Sequence, residues 1–255
     1  MENAAVDDGD PPPPAHEDSS VPISVEQNTA AMTVGGHGCL PHLFRRVWHI
    51  STFTTLSWFY YYIAIDICDR IGFPASKIVA ILALSQMVME GIRIRQQFLC
   101  FGFRSYERNQ ISAQAWGLVG AAIVLIAAPY RISFTSSQTS AQRAFIGMPI
   151  LWTLAFIDPL LGELKAHGSI GKICRPGQGF TLHQRSAIGV VVTWAIWTGI
   201  GLVSGEYIWW LIVIMGPLSV AAEYPKLRFI DDNAMMELVP LAASLLLSPF
   251  FPDRS

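Results

Sequence analysis

Apolar residues in this chain gather into long runs broken by short polar segments. Seven runs approach the ~20 residues that a helix needs to cross the hydrocarbon core of a bilayer: 48–67, 74–94, 111–128, 144–161, 186–203, 207–222 and 238–251. The last is short and carries Pro240 and Pro249. A bundle of six spans with a tilted or re-entrant final segment is therefore the alternative to seven. No internal repeat or second domain is evident, and the pattern predicts an all-α, polytopic integral membrane bundle.

Composition agrees with that reading. Apolar residues make up 52% of the chain and charged residues 14%, with a mean hydropathy of +0.39, against roughly 25% charge in a soluble domain. Residues 1–44 differ from the rest: they hold seven Asp and Glu, no Lys or Arg, and the run Pro11 to Pro14. They read as a disordered acidic tail ahead of a transmembrane domain at 45–255, without the features of a secretory signal or transit peptide. The four cysteines form no CxxC pair, so reduced structural thiols are expected. The chain has no basic face for nucleic acid.

Cytoplasmic loops are enriched in Lys and Arg, which allows the orientation to be read. With the tail inside, the inner segments carry twelve of the seventeen cations, among them Arg45, Arg46, Arg93, Lys165, Lys172, Arg175, Arg185, Lys226 and Arg228. Only Arg70, Lys77, Arg131, Arg143 and Arg254 fall on the other side. The N-terminus is therefore expected to be cytoplasmic.

That topology brings chemistry to one leaflet. His49, Glu90 with Arg93, Asp158 and Glu223 all fall at inner ends of runs, level with a loop that carries Asp231, Asp232 and Asn233. An ionisable group inside a span costs several kcal/mol unless it is paired or wetted, so Glu90 and Asp158 need partners. Glu90 and Arg93 stand three residues apart, on one helix face. Plainer readings exist: His49 as an interfacial residue, Glu90 and Arg93 as a structural ion pair, Asp231 and Asp232 as a solvated loop. Between 163 and 185 lies a glycine-rich loop with Lys172 and Arg175, suited either to phosphate or to anionic lipid. It lacks the GxxxxGK[ST] pattern of a Walker A loop.

Taken in order, Arg-Arg-x-x-His at 45–49, Glu-x-x-Arg at 90–93, Tyr-Glu-Arg-Asn-Gln-Ile-Ser-Ala from 106, Asp158-Pro159, the glycine and lysine loop, and Ala-Glu223 followed by Asp231-Asp232-Asn233 resemble the polytopic CTP-dependent lipid kinases. That group includes dolichol kinase, phytol kinase and the fungal-type diacylglycerol kinase, which look like distant relatives of the phosphatidate cytidylyltransferases. The resemblance spans most of residues 44–240 and rests on order and spacing. It implies transfer of the γ-phosphate of CTP to the hydroxyl of a lipid alcohol, with nucleotide and membrane lipids as partners. It also implies Mg²⁺ on Asp158, Asp232 and Glu223, with phosphates held by Arg93, Lys172 and Arg175, and Glu90 and Asn233 in the nucleotide site. His49 or a carboxylate would take the hydroxyl proton.

Two departures keep alternatives open. Where the family continues Asp-Asp-Asn into Leu-Thr-Ile-Pro, this chain has Ala-Met-Met-Glu237, and its proline comes at Pro240. In place of a Lys-Thr-x-Glu-Gly segment it has Thr181-Leu-His183-Gln-Arg185-Ser-Ala-Ile-Gly189. A catalytically silent relative that binds lipid or partners, or a transporter of anionic solutes, would use the same residues differently.

Overall fold

The computed structural model describes residues 39–98, 105–131, 140–165, 168, 170, 178–205, 207–225, 227 and 230–250. The described part of the chain is helical, with no strand among the described residues, and it belongs to one compact unit, Gly38–Ser255. Helix α1 (Cys39–Phe59) passes through a π-helical turn (Tyr60–Ala64) into α2 (Ile65–Ile71), which ends at Gly72 with φ +70°. Then come α3 (Ala75–Arg95), a 3-10 turn (Ser105–Asn109), α4 (Ala113–Arg131) and α5 (Ser140–Glu163). The chain closes with α6 (Leu182–Ser204), α7 (Trp209–Ala221) and α8 (Asp232–Leu247), the last followed by a 3-10 turn at Ser248–Phe250.

Each helix covers one of the seven apolar runs, α1 and α2 sharing the first. Four stretches are long and apolar enough to cross a membrane: Ala75–Arg95, Ala144–Glu163, Leu182–Ser204 and Asp232–Phe250. Helix α7, at 13 residues, is shorter than a full span; at 1.5 Å per residue it reaches about 20 Å against a hydrocarbon core of about 30 Å.

Among the boundaries that differ from the hydropathy pattern, those at the starts of α1, α6 and α8 have a local reason. Helix α1 starts at Cys39, inside the stretch assigned to the tail. It is tied down there by Arg46, which pairs with Glu163 and donates from Nη1 to the Pro159 carbonyl at 2.8 Å. A cation at the C-terminal end of α5 also faces the negative end of that helix's dipole. Helix α6 starts four residues before its apolar run because Thr181 and Gln184 form a reciprocal capping box. Helix α8 starts six residues before its run, with Asp231 as N-cap accepting from Asn233 N at 3.0 Å. Asp232 and Asn233 are therefore first-turn helical residues and not members of a loop. Pro240 lies inside α8, and its carbonyl accepts from Ser244 Oγ at 2.8 Å.

Helix α5 is the centre of the packing. Its apolar window is 78% buried, and Ile146, Ile150, Leu151, Leu154, Ile157 and Leu161 are almost wholly enclosed. A helix apolar all round and covered on every side is an interior helix. By contrast the window of α3 is only 11% buried. Its Ile81, Leu82, Leu84, Val88 and Met89 point outward, as side chains facing lipid would. Trp58 and Trp209 are exposed, whereas Trp197 is enclosed and meets Phe145 edge-on at 6.4 Å. Cys68 is buried and unbonded; Cys100 and Cys174 lie outside the described residues.

Close approach sets where α5 meets the π turn. A methyl group at Gly147 would stand 1.7 Å from the hydroxyl of the fully buried Tyr61 and 2.7 Å from its ring. Small residues at such contacts let helix backbones approach closely. Gly147→Ala is expected to destabilise the bundle by about 1–3 kcal/mol through overpacking. Gly199→Ala, where nothing lies within 4 Å, should leave stability unchanged or raise it slightly. Thermal unfolding in detergent micelles, followed by tryptophan fluorescence, checks the contrast.

Candidate functional site

Alternate helix ends meet at one end of the bundle, and the polar residues are concentrated there. Leu164 O accepts from Phe180 N at 3.1 Å, so the end of α5 sits against the start of α6. Ser186 Oγ and Tyr224 Oη, 2.8 Å apart, join the start of α6 to the segment after α7. Asn233 Nδ2 donates to Ala113 O at 3.4 Å, linking the starts of α8 and α4. These contacts join the end of α5, the start of α6 and the segment after α7, and separately the starts of α4 and α8; Arg46 and His49 of α1 meet the end of α5.

Two features occupy this end. The first is a cluster of carboxylates and cations around Glu223, which is 9% exposed. Its Oε1 lies 3.8 Å from Lys165 Nζ, and its Oε2 is buried with no hydrogen-bond partner among the described residues. Burial drives its carboxyl up to about 7, helped by the negative charges of Asp158 and Asp232 and opposed by Lys165 and Arg185. Glu223 thus feels both of the aspartates that the sequence singles out. His49 Nε2 stands 3.8 Å from Asp158 Oδ2 and 3.3 Å from the Leu154 carbonyl. The first distance is too long for a hydrogen bond.

The second feature is a cavity of about 590 Å³ lined by α1, α3, the start of α4 and Asn233. Phe44, Trp48, Phe53, Met89 and Ile92 supply apolar wall, and His49 and Asn233 lie on its lining too. Cavity and cluster are therefore neighbours: His49 borders the cavity and faces Asp158, while Asn233 borders it next to Asp232.

Glu90 and Arg93 line the cavity as a clasp. Arg93 donates to Glu90 from Nε at 2.9 Å and Nη2 at 2.7 Å, to Gln110 O from Nη2 at 2.7 Å and to Phe98 O from Nη1 at 3.3 Å. Glu90 Oε1 also accepts from Ser112 N at 2.6 Å, and Glu107 Oε1 accepts from Ala113 N at 3.2 Å. Both carboxylates satisfy amides that the N-terminus of α4 leaves open. The guanidinium assigned to phosphate binding is engaged in holding α3 to α4, which favours the structural reading of this pair. Lys172 and Arg175 lie outside the described residues.

Three polar residues stand out that sequence reasoning passed over. Arg185, in the first turn of α6, has buried Nε and Nη1 atoms with no partner among the described residues. It occupies the segment where the resembled family carries an acid, so this chain brings a cation to the cluster. The capping box that starts α6 was the sequence signal for it. Lys165, already counted among the loop cations, stands 3.8 Å from Glu223 Oε1. Glu237 is completely buried in α8 with both oxygens unpartnered among the described residues. Its Oε2 rests where a side chain on Gly120 would otherwise lie.

Among the described residues, no three His, Cys, Asp or Glu side chains are grouped to hold a metal ion. The shared three-carboxylate ligand set expected of Asp158, Asp232 and Glu223 is not preformed. Mg²⁺ commonly binds through one or two carboxylates plus substrate phosphates. The donors among the described residues do not fit a cage made by protein alone.

Comparison with known proteins brings no match: no family model, no curated protein and no solved structure.

Removing one member of the clasp should be costly. Arg93→Met would leave Glu90 buried without its counter-charge, with an expected loss of about 3–5 kcal/mol. The Glu90→Gln/Arg93→Met double variant should recover part of that loss. Unfolding midpoints of the wild type and both variants in micelles check this.

Proposed function

We propose that the protein is a membrane-embedded phosphotransferase. It carries the γ-phosphate of a nucleoside triphosphate, CTP by resemblance, to the hydroxyl of a lipid alcohol at the cytosolic face of a multi-pass bundle. The observation that carries this reading is Glu223. It is a buried carboxyl poised near neutrality, set among Asp158, Asp232, Lys165 and Arg185, in a cluster that His49 and Asn233 connect to a largely apolar cavity. A general base works best with a pKa near the working pH, and phosphoryl transfer needs mainly positioning and charge neutralisation.

In this reading the cavity presents the lipid hydroxyl and the cluster receives the phosphates. Lys165 and Arg185 neutralise phosphate oxygens, joined by Lys172 and Arg175 from the glycine-rich loop. Asp158 and Asp232 would hold the Mg²⁺ that accompanies the nucleotide, and its charge would offset that of the transferring group. Glu223 takes the proton as the hydroxyl oxygen forms its bond to the γ-phosphorus. The bond to the β–γ bridging oxygen breaks, and the nucleoside diphosphate leaves with that electron pair. His49 lies between Asp158 and the cavity. Arg93 and Glu90 act through the fold.

The confinement of charge disfavours a transport pathway, which would need polar groups through the depth of several helices. Glu237 is the one carboxylate completely buried among the described helices. The silent-relative reading is an outcome of the assay.

Purified protein in nanodiscs, given γ-labelled CTP or ATP with Mg²⁺ and dolichol, phytol or diacylglycerol, should label one lipid. Asp158→Asn should abolish the label, whereas an unlabelled lipid pool from folded wild-type protein would leave the silent relative. For the active pair, kcat/KM should rise about tenfold per pH unit below a midpoint near 7, as Glu223 loses its proton, and level off above it. Glu223→Gln should lower the rate by about 10²–10⁴ and remove that rise.

A further inference from the structure

Glu237 is an interior acid that the proposed reaction leaves unused. It is completely buried in α8, and neither carboxyl oxygen has a hydrogen-bond partner among the described residues. One turn earlier on the same helix face, Asn233 is 5% exposed, and its Oδ1 is likewise buried and unpartnered among the described residues. An acceptor closed off from solvent needs a donor inside the protein.

Both side chains belong to the contact between α8 and α4. Asn233 Nδ2 donates to Ala113 O at 3.4 Å, so Oδ1, which can only accept, is the amide atom left over. The Glu237 carboxyl rests on Gly120: a methyl group there would stand 3.0 Å from Glu237 Cδ and 3.5 Å from Ala234 Cα. The carboxyl therefore reaches back over the turn that holds Asn233, the direction in which long side chains lean on a helix.

No counter-charge is at hand. The main neighbours of α8 are α4, α5 and α7. Helix α7 has no charged residue, and the one in α4 is Arg131, its last residue. Helix α5 has Arg143 near its start, at the end away from the site, and Asp158 and Glu163 near the end where the site lies. Around α8 itself the other charged groups are Asp231 and Asp232, both acids. A carboxylate at position 237 would be a buried charge without a partner, and burying such a charge costs far more than burying a neutral group. A proton solves both problems: it removes the charge and makes the carboxyl a donor, one turn from an acceptor that has none.

We propose that Glu237 is held as the neutral acid and that its hydroxyl donates to Asn233 Oδ1, making it a positioning residue for Asp232. The link to Asp232 is short. Asn233 N donates to Asp231 Oδ1 and to Asp232 Oδ1, both at 3.0 Å, so fixing Asn233 fixes the carboxylate whose charge acts on Glu223. Asn233 serves the site by holding Asp232, in place of the nucleotide contact that the resemblance implies. The acid–amide pair stands by itself, and its effect on transfer rests on the phosphotransferase reading.

Infrared difference spectra of the protein in nanodiscs, wild type minus Glu237→Gln, test the pair without nucleotide. At about pH 9 Glu223 has lost its proton, and a protonated-carboxyl band should remain that belongs to Glu237. Its absence would overturn the proposal, and its loss on adding Na⁺ at constant pH would assign the place to a metal cation instead. With asparagine labelled with ¹³C, the Asn233 side-chain carbonyl band should move to higher frequency in Glu237→Leu, which has no hydrogen to donate, and stay in place in Glu237→Gln, which has. A band unmoved in Glu237→Leu would overturn the pairing, and so would, should that variant not fold, a Glu237 carboxyl band unmoved in Asn233→Leu. In the transfer assay Glu237→Gln should keep kcat within about twofold and Glu237→Leu lower it about tenfold; equal losses in the two would overturn the positioning role. A pH 9 band and a shifted amide in a protein that transfers no phosphate would leave the pair standing and remove the phosphotransferase reading.

Discussion

A bilayer offers polar groups no partners, so each polar side chain in the hydrocarbon must be satisfied by the protein or brought to the edge. Much of this architecture follows from that constraint. Helix α5, largely enclosed, is mostly apolar through its middle and turns charged at Asp158 and Glu163, where α1 supplies His49 and Arg46. Helix α3 faces outward with an apolar surface and buries a single acid, Glu90, whose charge is met by Arg93 one turn away and by the first amides of α4. The chemistry is crowded into one end because that is where it can be satisfied.

Satisfaction there is incomplete, and the gaps are informative. Glu223 Oε2, Arg185 Nε and Nη1, and Asn233 Oδ1 are buried and lack partners among the described residues. They are an acid, a cation and a neutral acceptor at neighbouring helix ends, at the point where an amphiphilic cavity meets a charged cluster. Buried polar groups are usually paired; Tyr61, Thr153, Trp197, Ser219 and Glu237 hold further unpartnered buried atoms among the described residues, and what sets the first group apart is the charge gathered around Glu223.

The apolar runs made the helices legible, because a membrane span writes about twenty uninterrupted residues into a sequence. The gathering of His49, Asp158, Glu223 and Asp232 at one level was legible too, once the loops were sorted by their cations. What hydropathy could not supply was set by local hydrogen bonds. The capping box at Thr181 and Gln184 and the N-cap at Asp231 start α6 and α8 in polar sequence, which turns Arg185 and Glu237 from loop or marginal residues into helix-borne, buried groups. The roles of Glu90 and Arg93 were hidden for another reason. Their spacing shows that they meet, but only the fold shows that Gln110, Ser112 and Phe98 complete the clasp. The contact of Lys165 with Glu223 depends on a chain reversal that no spacing reveals.

Burial holds the Glu223 carboxyl near neutrality, and the proposed transfer depends on its proton. Infrared spectroscopy of the protein in nanodiscs, taken as the difference between wild type and Glu223→Gln across a pH series, reads that proton directly. A protonated-carboxyl band that belongs to Glu223 is expected to disappear with a midpoint near 7 and to shift when CTP and Mg²⁺ are added. A band lost already below about pH 5, in the ordinary range of an exposed glutamate, would contradict it.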